Sequence, residues 1–120
     1  MAIQIFGTNK SFDTKKALMW FKERGITIQF VNLKTKEMSK GEFDSVVFSL
    51  TKKLGSKASA IEVLTDTSSK DYSTICYLED EAKEDKLFEN QKLLQLPIIR
   101  NGKNLATVGY KPTEWETWSK

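Results

Sequence analysis

Apolar and polar positions alternate at the start of the chain: Ile3 and Ile5 stand against Ala2, Gln4 and Phe6, which predicts a short buried strand. The period then lengthens. Ala17, Leu18 and Phe21 recur at helical spacing, and Gly25 supplies a stop just past the last of them. Between strand and helix lies a tight loop, Gly7 to Lys10. Asp13 and Thr14 are placed to accept hydrogen bonds from the unpaired amides of the first helical turn. The loop delivers Ser11 to the mouth of the helix, where free N–H groups and the helix dipole favour negative charge. Reactive thiolates are stabilised at such positions. Here the group is a hydroxyl.

Ile26 to Leu33 is rich in β-branched and aromatic residues and predicts a second strand. A helix separates it from the first, so the two should run parallel through a right-handed crossover. Ser39 and Glu42 fit a capping box, and Phe43, Val46, Val47, Leu50 and Leu54 form an apolar helical stripe ending at Gly55. Lys57 to Leu64 predicts a further short helix, and Thr65 to Ser69 a turn with cap residues. Tyr72, Ile75, Cys76 and Leu78 suggest a helix packed on one face. In the acid-rich run Glu79–Asp85, followed by Lys86, the order of charges suits a helix dipole. Ile98 to Asn101 and Leu105 to Gly109 read as a hairpin turning at Asn101-Gly102, with a last helix opening at Pro112.

The length of 120 residues suits a single domain, 1–120, and 39% hydrophobic with 29% charged residues is ordinary for a globular chain. No apolar run is long enough to cross a bilayer and no signal-peptide pattern is present, so no membrane association is expected. One cysteine and no histidine argue against an internal disulfide and a structural zinc site; the expected compartment is the cytoplasm. The formal charge of +3 comes from scattered lysines without a basic tract, which gives nucleic-acid binding little support.

The opening segment resembles the arsenate reductase-like (ArsC/Spx) family of the thioredoxin fold. Members of that family carry a strand, a Gly, a short loop, a nucleophilic Cys, and a helix that opens with a basic pair and Ala. Gly7, Lys15-Lys16-Ala17 and the Trp20-Phe21 pair match, which sets the nucleophile's position at Ser11 and the second cysteine of C-x-x-C members at Thr14. Two later segments resemble the family as well: Leu96-Pro97-Ile98-Ile99-Arg100-Asn101-Gly102, where the proline is usually cis, and Val108-Gly109-Tyr110 before a short helix. The resemblance implies an α/β, thioredoxin-like fold with a mixed four-stranded sheet. A βαβ unit would lead through a helical insertion, roughly residues 57–94, to a C-terminal hairpin and helix.

For function, the resemblance implies a thiol oxidoreductase scaffold whose redox cysteine is absent. With cysteine at position 11 the scaffold would be a monothiol reductase resolved by an external thiol such as glutathione; with Ser11 it lacks the nucleophile. The three arginines that hold the oxyanion in arsenate reductases correspond to Leu96 and to positions near Tyr110 and Thr65, none of them arginine. That argues against arsenate reduction. The partners implied are glutathione, a peptide or a protein disulfide, with no bound cofactor. The alternative is an Spx-like regulator binding RNA polymerase.

Three readings of Ser11 stand: a replaced cysteine unable to exchange thiols, a serine nucleophile for which only a lysine could be the base, and a plain N-cap. The N-cap needs nothing else. The ligand-binding set expected around it is Gly7, Lys10, Asp13, Thr14, Pro97 and Arg100. A cis Pro97 would shape the groove, its alternative being a trans proline ending a Leu-rich helix. Arg100 would point towards the Ser11 loop or cover an edge strand. Lys10, Lys15 and Lys16 could frame an anion site with the helix N-terminus or simply be solvated. Cys76 reads as a small buried hydrophobe rather than a sensing thiol, and Trp115 with Trp118 as anchors of the last helix.

Overall fold

The opening alternation forms strand β1, Ile3–Gly7, and the helical period that follows forms α1, Phe12–Glu23. The structure is a computed structural model describing residues 3–118; Ala2, read above into the alternation, lies outside the described residues. After α1 come β2 (Ile28–Asn32), α2 (Lys40–Leu54), α3 (Lys57–Leu64), a 3₁₀ turn (Lys70–Thr74) and α4 (Asp80–Glu89). A second 3₁₀ turn, Gln91–Leu93, leads to β3 (Ile98–Asn101), β4 (Leu105–Val108) and α5 (Pro112–Trp118).

The strands form one sheet in the order β2-β1-β3-β4. β1 pairs parallel with β2 and antiparallel with β3, and β3 pairs antiparallel with β4. This is the expected mixed four-stranded α/β sheet. Because side chains alternate across a strand, the sheet has two apolar faces. Ile3, Ile5 and Ile99 face α1 and α5 with Ala17, Trp20, Phe21 and Trp115. Phe6, Val31, Ile98, Ala106 and Val108 face the second layer with Phe43, Val46, Leu50, Ile61 and Leu64.

Local signals account for several boundaries. Helix α1 ends in a Schellman motif: Gly25, at φ +67°, donates to the Lys22 carbonyl, and Ile26 donates to that of Phe21. The Ser39–Glu42 capping box is formed in both directions, and Gly55 closes α2 in the left-handed conformation. In α5 the Trp115 indole is buried among Trp20, Phe21 and Tyr110, with ring centroids 5.1–5.4 Å away, and its Nε1–H donates to Thr107 Oγ1 at 2.8 Å. Such ring pairs contribute about 0.5–1.5 kcal/mol each beyond the area they bury. Trp118 packs against the same cluster, half-buried.

One element departs from expectation. The helix read across Tyr72–Leu78 is the 3₁₀ turn Lys70–Thr74 followed by turns. With three residues per turn the buried position falls on Ile75, and Cys76 is exposed rather than buried.

Candidate functional site

Ser11 sits at the C-terminal end of β1. Its own amide donates to the Thr8 carbonyl at 3.2 Å, which tightens the loop. In extended conformation (φ −78°, ψ 118°) it is the N-cap of α1, and its Oγ accepts from the Thr14 amide at 3.2 Å. The capping acceptor is therefore Ser11, not Asp13 or Thr14. Asp13 contributes a carboxylate to the first turn, where the dipole favours it.

Gly7 and Thr14, both read as ligand-binding, have a different task. A Cβ on Gly7 would lie 2.4 Å from Thr14 Oγ1 and 2.6 Å from its Cγ2, so only glycine lets α1 lie this close to β1. Thr14 is fully buried in that contact and its hydroxyl has no hydrogen-bond partner among the described residues. Neither residue opens to a ligand: the contact sets the position of the helix mouth and hence of Ser11.

Across from Ser11 runs segment 90–96. Leu94 bridges to Thr65, and the Gln95 amide donates to the Leu64 carbonyl at 2.7 Å. The Leu96–Pro97 peptide is cis, and Pro97 is buried directly before the Ile98–Phe6 pair that joins β3 to β1. The Ser11 loop and the proline segment thus stand side by side, with Leu96 rather than Pro97 facing the opening.

Three clefts follow one another along this segment. The middle one, about 330 Å³, is lined by Ser11, Phe12, Asp13, Asp66, Gln95 and Leu96, among others. On one side a cleft of about 800 Å³ shares Lys92 and Leu96 with it and adds Lys10 and Lys34. On the other, a cleft of about 740 Å³ shares Asp13 and Gln95 and adds Lys16, Thr65, Tyr110 and Lys111. Phe12 stands 74% exposed at the lip, and the Lys16 ammonium lies 4.4 Å from the Tyr110 ring centroid, a cation–π contact.

The expected lysine frame is rearranged. Lys10 lines the groove and Lys16 lines its far end, but Lys15 is exposed and lines none of the three clefts. Lys34 and Lys92 take its place, brought in by the turn after β2 and by the 3₁₀ turn before β3. Their positions follow from long-range folding, which local spacing does not carry.

Arg100 is a correction. β3 runs antiparallel to β1, so each residue after Pro97 moves further from the Ser11 loop, and Arg100 pairs with Gln4 near the opposite end of the sheet. Its Nη1 donates to Gln4 Oε1 at 2.6 Å and its Nε to Ser45 Oγ at 3.1 Å. Nor does it cover an edge, because β3 lies inside the sheet. Arg24, the chain's other arginine, stacks over Trp20, 4.0 Å from the ring centroid. Leu96, Thr65 and Tyr110 all line the groove. Leu96, and the Thr65 and Tyr110 near which the resemblance sets the other two oxyanion-binding arginines, are therefore at the groove, and no guanidinium lines any of the three clefts.

Among the described residues no group of three His, Cys, Asp or Glu side chains could hold a metal ion, and no helix is long and apolar enough to cross a membrane.

With the groove in view, the solved structures decide the architecture. The fold is that of the arsenate reductase-like proteins. An ArsC-family-related protein of Bacteroides fragilis superposes with a TM-score of 0.78 at 20% identity, covering 98% of this chain and 97% of that one. An arsenate reductase of Vibrio cholerae gives 0.74 at 20% identity over 95% and 94%. An arsenate reductase-related protein of Brucella melitensis gives 0.66 at 17% over 100% and 96%. No family model and no curated protein matches the sequence. At these identities the likeness carries the architecture and leaves the activity to be argued from the groove.

Proposed function

We propose that this protein binds a thiol-bearing peptide ligand, glutathione or a segment of a protein, in the groove over Ser11, and that as it stands it does not exchange thiols. The observation that carries the reading is Ser11 itself. The resemblance sets the family's nucleophile at this position, and the residue lies at a helix mouth facing the cis-proline segment, with its Oγ engaged as the N-cap. A hydroxyl there has neither the low pKa nor the bond-forming chemistry of a thiol. The chain's lone cysteine, Cys76, lines none of the clefts and does not supply the missing group. The absence of arginine from the groove speaks against arsenate as substrate. A single cysteine also suits a reducing compartment, the cytoplasm.

The scaffold's ancestry in thiol chemistry is tested by Ser11→Cys. The helix mouth should hold the new thiol's pKa below the ordinary value of about 8.5, and glutathione-dependent reduction of a disulfide substrate should follow. The unaltered protein should show amide shifts around residues 11–15 and 95–96 when titrated with glutathione, and no turnover. An ordinary thiol pKa in the variant, together with no shifts in the unaltered protein, overturns the reading.

A further inference from the structure

The cleft of about 800 Å³ beside the Ser11 site has a chemistry of its own. Three lysines reach it from three separate segments: Lys10 from the loop after β1, Lys34 from the turn after β2, and Lys92 from the 3₁₀ turn before β3. Four lysines elsewhere are ion-paired, Lys40 with Asp44, Lys53 with Glu114, Lys57 with Glu84 and Lys86 with Glu89, while others such as Lys15, Lys22 and Lys52 have no ion pair among the described residues. Lys10, Lys34 and Lys92 have no ion pair among the described residues, although Glu37 lines the same cleft.

The walls that present these lysines are tied down. The Gln91 side chain is buried and clamps the chain after β2: its Oε1 accepts from the Met38 amide at 2.7 Å, and its Nε2 donates to the Met38 carbonyl at 3.1 Å and to that of Phe88 at 3.2 Å. Asn32 Oδ1 accepts from the Lys34 amide at 3.0 Å, and its carbonyl accepts from the amides of Thr35 and Lys36. Asn90 Nδ2 donates to Asp71 Oδ2 at 3.0 Å. The side chains of Gln91 and Asn32 are thus engaged in holding backbone and that of Asn90 in holding Asp71, and what the cleft offers a ligand is a net positive charge beside the apolar surface of Leu33 and Leu96. Three ammonium groups against the one Glu37 carboxylate that lines the cleft leave it net positive, and an anion with several charges would neutralise that excess. The volume is in the range of small-molecule sites.

We propose that this cleft binds a small polyanion carrying two or more phosphate or carboxylate groups. Lys10, Lys34 and Lys92 each neutralise part of its charge, as the ammonium of lysine does for phosphate. The inference goes beyond the reading of Ser11 and does not depend on it.

The test is a ¹⁵N amide titration with pyrophosphate and, separately, with citrate, at matched ionic strength. Saturable shifts are expected at residues 8–10, 32–34 and 90–92, weakening by about fivefold when salt is raised from low to physiological levels. Lys34→Glu and Lys92→Glu, both at exposed positions, should each weaken binding by about tenfold. Lys70→Glu changes the net charge equally but lies outside the cleft, and should leave affinity nearly unchanged. Tighter binding of pyrophosphate identifies a phosphate-bearing ligand, and tighter binding of citrate a polycarboxylate. The proposal is overturned if neither anion saturates below about 1 mM, if Lys70→Glu weakens binding as much as Lys34→Glu, or if the shifts spread over every lysine-bearing surface. Because Ser11→Cys reads a thiol and this titration reads Lys34 and Lys92, either result can fail without the other.

Discussion

Where β1 begins, a charged side chain is consumed by its polar neighbours; where it finishes, charged side chains are left over. At the first end Gln4 donates to Gln29 at 3.0 Å and to Glu42 at 3.1 Å and accepts from Arg100, while Arg100 also donates to Ser45. Glu42 in turn closes the capping box of α2 with Ser39. At the other end the cap of α1 takes one lone pair of Ser11, and three lysines line the groove with no ion pair among the described residues. A cleft also exists at the first end, about 550 Å³ and lined by Gln4, Gln29, Arg100 and Lys103. Volume is therefore a poor guide to function here: the Arg100 guanidinium is already hydrogen-bonded to Gln4 and Ser45, whereas Lys10, Lys34 and Lys92 at the Ser11 end have no ion pair among the described residues. The arginine that sequence assigns to the site belongs to the structural end.

The sharpest way to break this contrast is at the glycine on which the Ser11 end depends. Gly7→Ala places a methyl against the side chain of Thr14, which is held on a buried helical turn, so β1 and α1 must move apart. A loss of about 3 kcal/mol in urea unfolding is expected, the upper range for overpacking a core, together with loss of the proposed glutathione-induced shifts at residues 11–15 and 95–96. A change within experimental error would show that the close approach does not set the helix mouth.

Arg100→Met probes the other end. It leaves the half-buried Gln4 carbonyl oxygen without its 2.6 Å donor and should destabilise by about 2 kcal/mol, while glutathione titration at residues 11–15 and 95–96 stays as in the unaltered protein. Stability preserved with weakened glutathione binding would put Arg100 back among the site residues.

The smallest effect concerns Glu42. Partial burial raises its pKa, but the hydrogen bond from the Ser39 amide, those from Gln4 and the Ser39 side chain, and the charge of Arg100 outweigh it and hold the folded value below normal. A carboxyl with a lowered folded pKa adds stability that is complete above its unfolded value, about 4.3, and lost as pH falls through the folded value. Glu42→Gln should therefore cost about 0.5 kcal/mol or less at neutral pH, since the site is partly solvated, and nothing at the acid end. Thermal melts of both proteins across pH 2 to 7 should converge as the pH drops. Curves separated by a constant amount would show that the carboxylate's charge plays no part in this network.

Signals confined to a few neighbouring residues were legible in the chain. The Ser39–Glu42 box, Gly25 and Gly55 as stops, the hairpin at Asn101-Gly102 and the alternation of Ile3 and Ile5 each rest on bonds made within a turn or on a period of two. The exposure of Cys76 was not legible, because Tyr72, Ile75 and Leu78 fit more than one helical period and only packing chose the 3₁₀ turn. For the groove, residue spacing placed Ser11 and Lys10 and the resemblance placed Pro97, but neither showed that Gly7 and Thr14 are a packing pair.

By itself the sequence determined most of the elements, the caps of α2, the hairpin turn, and the absence of a thiol at the mouth of the first helix, since these depend on residue identity and on hydrogen bonds a few residues apart. The tertiary structure decided which charges share the groove. Lys10, Lys34 and Lys92 are brought to one cleft, and Arg100 is carried to the far end of the sheet, because strand order and direction fix distances between segments far apart in the chain. Crossovers of β1, β2 and β3 set those relations through the burial of both sheet faces together, and no local pattern of residues encodes that sum.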